Sequence, residues 1–341
     1  MTRSPFAKLY GKALSLRAQL YAKGRFESQR LPRPCVSVGN LTMGGTGKTP
    51  FVEFMARRLR FDGWRPAILS RGYGRLSHGV VVVSAGEGPM VSAEEGGDEP
   101  VALARSLSGV LIVVGERRAQ AARRAADLGA DLLLMDDGFQ HLAVRRDVDL
   151  LLLDAKDPFG GGSFPPRGRL REPVAALKRA DAIVFTRVNR GAPPLAVLRE
   201  ISRLHPDAPI FHARIRPVSL RDENGATVEI ALLAKRRCLG VCGIANGREF
   251  TATLREMSLS PEEVLEFRDH QRYRRRHLER IRAAAQRVGA SWIVTTEKDA
   301  AKLSGKTGLP LITVRLSVEV DEPGFFPFVS ERLKAAAPAP R

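Results

Sequence analysis

A chain of 341 residues is long enough for about two domains of roughly 150 residues each, and its 44% hydrophobic content suits a packed globular protein. A formal net charge of +18 directs attention to anionic partners: nucleotide, phospholipid or nucleic acid. No apolar run approaches the roughly 20 residues of a membrane span, and Cys35, Cys238 and Cys242 read as reduced core residues of a cytosolic protein, not as a metal or redox set.

Residues 1–30 carry helical periodicity. Phe6, Leu9, Tyr10, Ala13, Leu14, Leu20 and Tyr21 share one face, flanked by Arg3, Lys8, Lys12, Arg17, Lys23 and Arg25. The interspersed Lys8, Lys12 and Arg17 exclude a signal-peptide core. Two readings stand: an amphipathic helix packed on its own domain, or one lying in an anionic membrane surface.

From residue 31 to 217 apolar strands alternate with helices. Strands are expected at Cys35–Val38, Pro66–Ser70, Val80–Ser84, Val110–Val114, Leu132–Met135, Val148–Leu153, Ala182–Thr186 and Ile210–Ile215. Helices are expected at Thr49–Phe61, Glu99–Leu107, Arg117–Leu128 and Pro194–Leu204. Near-continuous apolar strands separated by helices imply an α/β fold, a mostly parallel sheet sandwiched by helices. Ligands then bind beyond the carboxyl ends of the strands.

The first such end carries "TMGGTGKT", Thr42, Met43, Gly44, Gly45, Thr46, Gly47, Lys48 and Thr49. It matches the phosphate-loop (P-loop) pattern G-x-x-x-x-G-K-[ST] except that Thr42 replaces the first glycine. The glycines let backbone N–H groups turn inward, and the following helix adds the positive end of its dipole. Lys48 is placed for the β- and γ-phosphates, and the Thr49 hydroxyl for Mg²⁺. The expected ligand is a nucleoside triphosphate, ATP.

Further along, "SRGYGR" brings Arg71 and Tyr73, and "GERR" brings Arg117 and Arg118, each just after a strand. "GGDEP" places Asp98 and Glu99 before a helix, where they suit either helix N-terminal charges or chemistry. Asp136 and Asp137 end the strand "DLLLM", the position of a metal-holding carboxylate, and "GFQH" adds Gln140 and His141. "LREP" supplies Glu172. Acids and arginines converging on a γ-phosphate fit phosphoryl transfer, with Asp98 and Asp137 both eligible as the base that accepts a hydroxyl proton.

Residues 218–237 form a linker with a hairpin signal at Asn224-Gly225. Residues 238–335 read as a smaller α/β domain: strand Leu239–Ile244, helix Arg248–Met257, helix Tyr273–Val288, and strands Trp292–Thr296 and Leu311–Leu316. Its Asp269-His270 suits a cap near a helix start or a partner for an acid across a cleft. Residues 336–341 are expected to be disordered.

Taken in order, "VSVGNLTMGGTGKTP", "SRGYG", "GDEP", "GERR", "DDGFQH", "LREP", "FTR", "FRDH" and "TEKDAAKL" resemble the tetraacyldisaccharide 4′-kinase family through nearly the whole chain. The resemblance implies transfer of the ATP γ-phosphate to the 4′-hydroxyl of a tetraacylated glucosamine disaccharide 1-phosphate, giving a bis-phosphorylated lipid A precursor. It implies Asp98 as the base paired with His270, Lys48 acting on the phosphates, and Thr49, Glu99, Asp136 and Asp137 serving nucleotide and metal. Arg71, Tyr73, Arg117, Arg118, Gln140 and Glu172 are then candidate substrate contacts. It implies a peripheral protein on the cytoplasmic face of the bacterial inner membrane, and favours the membrane reading of the N-terminal helix.

Two stretches depart from the family pattern: Gln271 follows "DH", and Arg167 and Arg169 occupy a variant loop before "LREP". The competing classes are a P-loop ATPase or GTPase switch acting on a partner protein, and a nucleic-acid module. With only 6% dispersed aromatics for stacking, no nucleic acid is expected; no obligate protein partner is expected either.

Overall fold

The computed structural model describes residues 5–233, 236–244 and 246–336, so the expected disordered tail lies outside the described residues except for Ala336. Helix α1 (Pro5–Ala22) leads into β1 (Cys35–Asn40), α2 (Lys48–Phe61), β2 (Pro66–Ser70) and β3 (Val81–Ser84). Then come α3 (Ala93–Gly96), α4 (Asp98–Ser106), β4 (Leu111–Val114), α5 (Arg118–Asp127), β5 (Leu132–Asp136), β6 (Val148–Asp154) and β7 (Ala182–Thr186). Helix α6 (Leu195–Leu204), the long β8 (Ile210–Arg221), the short β9 (Thr227–Val228) and α7 (Ile230–Leu233) lead to the second half. That half holds β10 (Cys238–Cys242), α8 (Gly247–Glu256), β11 (Glu263–Glu266), α9 (Arg275–Val288), β12 (Trp292–Thr296), α10 (Glu297–Leu303), β13 (Leu311–Val320) and α11 (Phe325–Ala336).

All these strands belong to one sheet, ordered β11-β10-β12-β13-β8-β7-β6-β1-β5-β2-β4-β3, with β9 on β8. Pairing is parallel except at β8/β13, β8/β9 and the edge pair β3/β4. The β8/β13 pair is therefore the seam between the two halves, and its antiparallel register (Ala213 opposite Val320, Arg221 opposite Thr313) spans the length of both strands. Strands β1, β5, β6 and β7 are fully buried along nearly all of their length, as apolar strands covered on both faces must be.

Helix α2 buries Phe51, Val52, Met55, Ala56 and Leu59 against the sheet. A fully buried Phe or Leu of this kind contributes about 1.5–3 kcal/mol. Helix α11 was not evident from the sequence, because Pro327 interrupts its first turn. It returns to the first half and sets Phe325 against Phe51 at 5.9 Å between ring centroids. The edge strand β11 and the short α10 were also not anticipated, and α9 starts at Arg275, not Tyr273. Cys35, Cys238 and Cys242 are free and buried; burial pushes the Cys238 thiol up to about 11 and Cys242 to about 12.

Candidate active site

The phosphate loop crosses from β1 to α2. Gly47 is left-handed at φ 79°, ψ 20°, and a Cβ placed there would stand 2.3 Å from Ile215 Cδ1. Only glycine meets both conditions. Three of the loop's carbonyls are taken up by side chains around it. The Asn40 amide donates to Thr42 O at 2.7 Å, the Thr186 hydroxyl to Thr46 O at 2.8 Å, and Arg187 to Gly45 O at 2.6 Å. A loop whose C=O groups are so engaged can present N–H groups to an anion.

The β1/β5 register sets Asp136 opposite Val38, so the strand next to the one that feeds the loop delivers the two acids beside it. Asp137 follows in a left-handed turn at φ 56°. Its Oδ1 lies 3.5 Å from Lys48 Nζ and accepts from Arg171 at 2.6 Å. Lys48 also donates to Asn40 Oδ1 at 3.1 Å, and Arg171 reaches the same oxygen at 3.3 Å. Burial works to raise the Asp137 carboxyl, but Lys48 and Arg171 outweigh it and hold it down at about 2. Asp136 goes the other way. Burial, with repulsion from Glu99 and Asp137, pushes it up to about 7 against the pull of Lys48 and Arg118.

Asp136 Oδ1 is buried without a hydrogen-bond partner. An orphaned carboxylate oxygen next to a second acid, in a cleft that Thr49 also lines, suits a hard cation. Among the described residues no three acidic, histidine or cysteine side chains converge closely enough to hold a metal alone. That suits Mg²⁺, which takes one or two carboxylates and completes its shell with phosphate oxygens and water.

The opposite wall comes from α4 and the second half. Asp98 Oδ2 accepts from Lys302 Nζ at 2.9 Å and lies 3.5 Å from His270 Nδ1. Burial raises Asp98, but the His270 and Lys302 contacts outweigh it and hold the carboxyl below its usual range. Glu99 pairs with Lys298 at 3.3 Å. His270 occupies a turn before α9, not a helix start, at φ 55°, with its ring edge-on to Tyr73 at 4.7 Å.

The two walls enclose a cleft of about 880 Å³. The loop residues Thr42 to Thr49, Arg71, Tyr73, Glu99, Arg118, Asp136, Asp137, Gln140 and His270 all line it. Asp98 sits just behind that surface, while Arg117 and Glu172 do not line the cleft. Glu172 is buried and paired with Arg179 at 2.7 Å. Arg118 donates to Gly115 O at 2.6 Å; burial lowers its guanidinium to about 10 against support from Asp136 and Asp137. Burial and Arg118 hold His141, also in the lining, down at about 4, so its ring is neutral near pH 7.

Sequence reasoning passed over four residues here. Asn40 and Arg171 stood inside quoted motifs, but only the fold shows their shared contact. Lys298 and Lys302 stood in "TEKDAAKL"; Thr296 followed three residues later by Asp299 is a helix-start signal that marks α10 and aligns the two lysines on one face.

Residues 2–334 match the family model of tetraacyldisaccharide-1-P 4′-kinase. The chain is 41% identical over 318 residues to the tetraacyldisaccharide 4′-kinase of Anaeromyxobacter dehalogenans (strain 2CP-C), covering 90% of this chain and 83% of the relative. It is 41% identical over 300 residues to that of Geobacter sulfurreducens, covering 87% and 82%. Its backbone is similar to a crystal structure of the "apo" form LpxK from Aquifex aeolicus in complex with ATP, at a TM-score of 0.77 and 30% identity over 96% of this chain and 98% of that one. With a P-loop α/β sheet, a two-walled cleft and likeness along nearly the whole chain, this protein belongs to the tetraacyldisaccharide-1-P 4′-kinase family.

Proposed function

We propose that the cleft transfers the γ-phosphate of ATP to the 4′-hydroxyl of a tetraacyldisaccharide 1-phosphate, with Asp98 as the base. The observation that carries this reading is a single cleft lined on one side by the Lys48 loop and on the other by His270, with Asp98 at its edge 3.5 Å from the His270 ring and still partly exposed. A switch ATPase has no need of that second wall.

The loop N–H groups and Lys48 hold the β- and γ-phosphates. Apolar Ile215, Phe250, Val314 and Leu316, also in the lining, offer a wall for the adenine. Thr49 and one or two of the acids Asp136, Asp137 and Glu99 would hold Mg²⁺, which when bound neutralises charge on the transferring phosphoryl group. Arg118 and Arg171 face the same charge. The Lys302 and His270 contacts of Asp98 both fall on Oδ2, which leaves Oδ1 to meet the acceptor hydroxyl. A carboxylate held low is a modest base, but phosphoryl transfer has a loose transition state with little demand for a strong one. Asp98 therefore acts chiefly by orienting the hydroxyl and taking its proton late, while His270 steadies Asp98. Gln140, Arg71 and Tyr73 are placed to contact the acceptor.

The acceptor's acyl chains require a lipid surface. No described helix is long and apolar enough to cross a membrane. Helix α1 exposes Leu9, Tyr10 and Leu16, with Lys12, Arg17, Lys23 and Arg25 around them. Such a helix gains about 1 kcal/mol per basic residue near anionic lipid, which favours peripheral binding at the cytoplasmic face of the inner membrane.

The test is transfer from γ-labelled ATP to a tetraacyl disaccharide 1-phosphate in mixed micelles. Labelled lipid from wild type is expected. ATP hydrolysis without labelled lipid would move the protein to the switch class.

A further inference from the structure

His270 touches a cation that the mechanism above leaves unused. Its Nδ1 is buried, has no hydrogen-bond partner, and lies 3.5 Å from Asp98 Oδ2. Its Nε2 lies 3.1 Å from Lys298 Nζ. An ammonium carries three donors and no acceptor. Lys298 can approach Nε2 at that distance only if this nitrogen offers its lone pair. Glu99 Oε1 and Asp269 Oδ1 also face Nε2, at 3.9 and 4.0 Å, but both are beyond hydrogen-bond reach and both are paired with Lys298. The ring's single N–H is then on Nδ1, on the side of Asp98.

The lysine is fixed in that position. It donates to Asp269 Oδ1 at 2.7 Å and pairs with Glu99 at 3.3 Å, and its side chain is 14% exposed. The helix that carries it is pinned within the second half. Asp299, wholly buried, accepts from Gly243 N at 2.8 Å and from the Tyr273 hydroxyl at 2.9 Å, and the Thr296 hydroxyl caps α10 by accepting from Asp299 N at 3.1 Å. Arg315 donates to Glu297 at 2.8 Å from β13.

We propose that Lys298 is a positioning residue that fixes the tautomer of His270, keeping Nε2 as acceptor and Nδ1–H on the side of Asp98. The commonplace alternative is an ion pair that merely ties α10 to α4. That role is already filled one turn along the helix by Lys302 on Asp98 at 2.9 Å, and it does not require a lysine against the imidazole. With the tautomer reversed, Nδ1 would present a lone pair to a carboxylate and the steadying contact would become a repulsion. The proposal rests on the reading of Asp98 and His270 as a working pair.

The experiment records nitrogen NMR of the full-length enzyme labelled in histidine, with the His270 signals identified by their loss in His270→Gln. Wild type is expected to show a protonated Nδ1 and a bare Nε2. Lys298→Met should shift His270 toward the Nε2–H form and lower kcat about 10²-fold, the scale of a lost proton-transfer partner, while KM for ATP stays within a few-fold. Lys298→Arg, also a pure donor, should restore the wild-type pattern. A wild-type spectrum with Nε2–H, or an unchanged tautomer in a folded Lys298→Met, would overturn the proposal. If Lys298→Met fails to fold, Lys298→Gln takes its place: its amide oxygen can accept from an Nε2–H, and an unchanged tautomer there overturns the proposal. Failure of the working-pair reading is separately visible, because His270→Ala would then retain wild-type turnover whatever the tautomer.

Discussion

The two walls of the cleft hold charge by different means. On the phosphate wall the anion site is backbone, and its few side chains, Asn40, Lys48, Asp137 and Arg171, form one short chain of contacts around the loop. On the facing wall nearly everything is side chain. Asp98 and Glu99 on α4 meet Lys302, Lys298 and His270 from the second half, and the Lys302–Asp98 contact joins residues 204 positions apart. The first wall is set once β1 pairs with β5. The second exists only while the β8/β13 seam holds the halves together. Binding belongs mainly to the first wall and acceptor chemistry to the second.

The strongest way to break this division is to remove one charge from each wall. Lys48→Ala is expected to lose about 10²–10³ in transfer rate through lost electrostatic stabilisation, together with ATP affinity. Asp98→Ala is expected to lose about 10²–10⁴ in rate, the range for a positioned acid or base, and to keep ATP affinity. Isothermal titration and single-turnover transfer read the two effects separately.

Gly47→Ala attacks the phosphate wall through its backbone. The left-handed conformation costs a non-glycine residue about 1–2 kcal/mol, and the added methyl collides with Ile215. ATP affinity should fall, and relative to the Ile215→Ala single variant, which itself loses part of the adenine wall, Gly47→Ala should cost less than it does in wild type, since the collision is gone but the strain remains. No cost in that background would mean that the backbone conformation carries none of the effect.

The seam has its own weak point. Arg315 on β13 is buried and pairs with Glu53 on α2 and Glu297 on α10, linking the phosphate-loop helix to the helix that carries both lysines. Arg315→Met leaves Glu53 to Arg57 alone and removes the partner of Glu297, which is a third exposed. Breaking a fully buried pair costs about 3–5 kcal/mol; with one acid still paired and the other reached by water, a smaller but clear drop in thermal midpoint is expected. An unchanged midpoint would show that water reaches both acids.

The smallest effect separates neighbours. Arg118 is buried in the lining behind Asp136 and Asp137, while Arg117 caps α5 outside the cleft. Arg118→Ala should impair transfer strongly. Arg117→Ala should change it less than about three-fold, in keeping with the small effects of surface substitutions. Equal losses would place Arg117 on the bound acceptor.

How much of this was legible in the sequence follows the same division. The phosphate loop, Asp136 and Asp137 are contiguous or lie at strand ends, so alternation of strand and helix places them without knowledge of the tertiary fold. Arg171 and Asn40 share a contact that only the bridge between Thr42 and Leu170, with Arg171 N donating to Leu41 O, creates. Lys298 and Lys302 lay in a quoted motif without a role, because nothing local ties α10 to α4. His270 stood near the start of a helical run, yet the chain turns left-handed there before α9 begins. Glu172 and Arg117 share motifs with site residues, but one is spent on Arg179 and the other does not line the cleft.

The most direct test of the two-walled site measures ATP binding and labelled-phosphate transfer on the same Asp98→Ala preparation. Retained ATP affinity with transfer lost by at least about 10²-fold is the result the account requires. Transfer at the wild-type rate, or loss of ATP binding along with transfer in a folded protein, would contradict it.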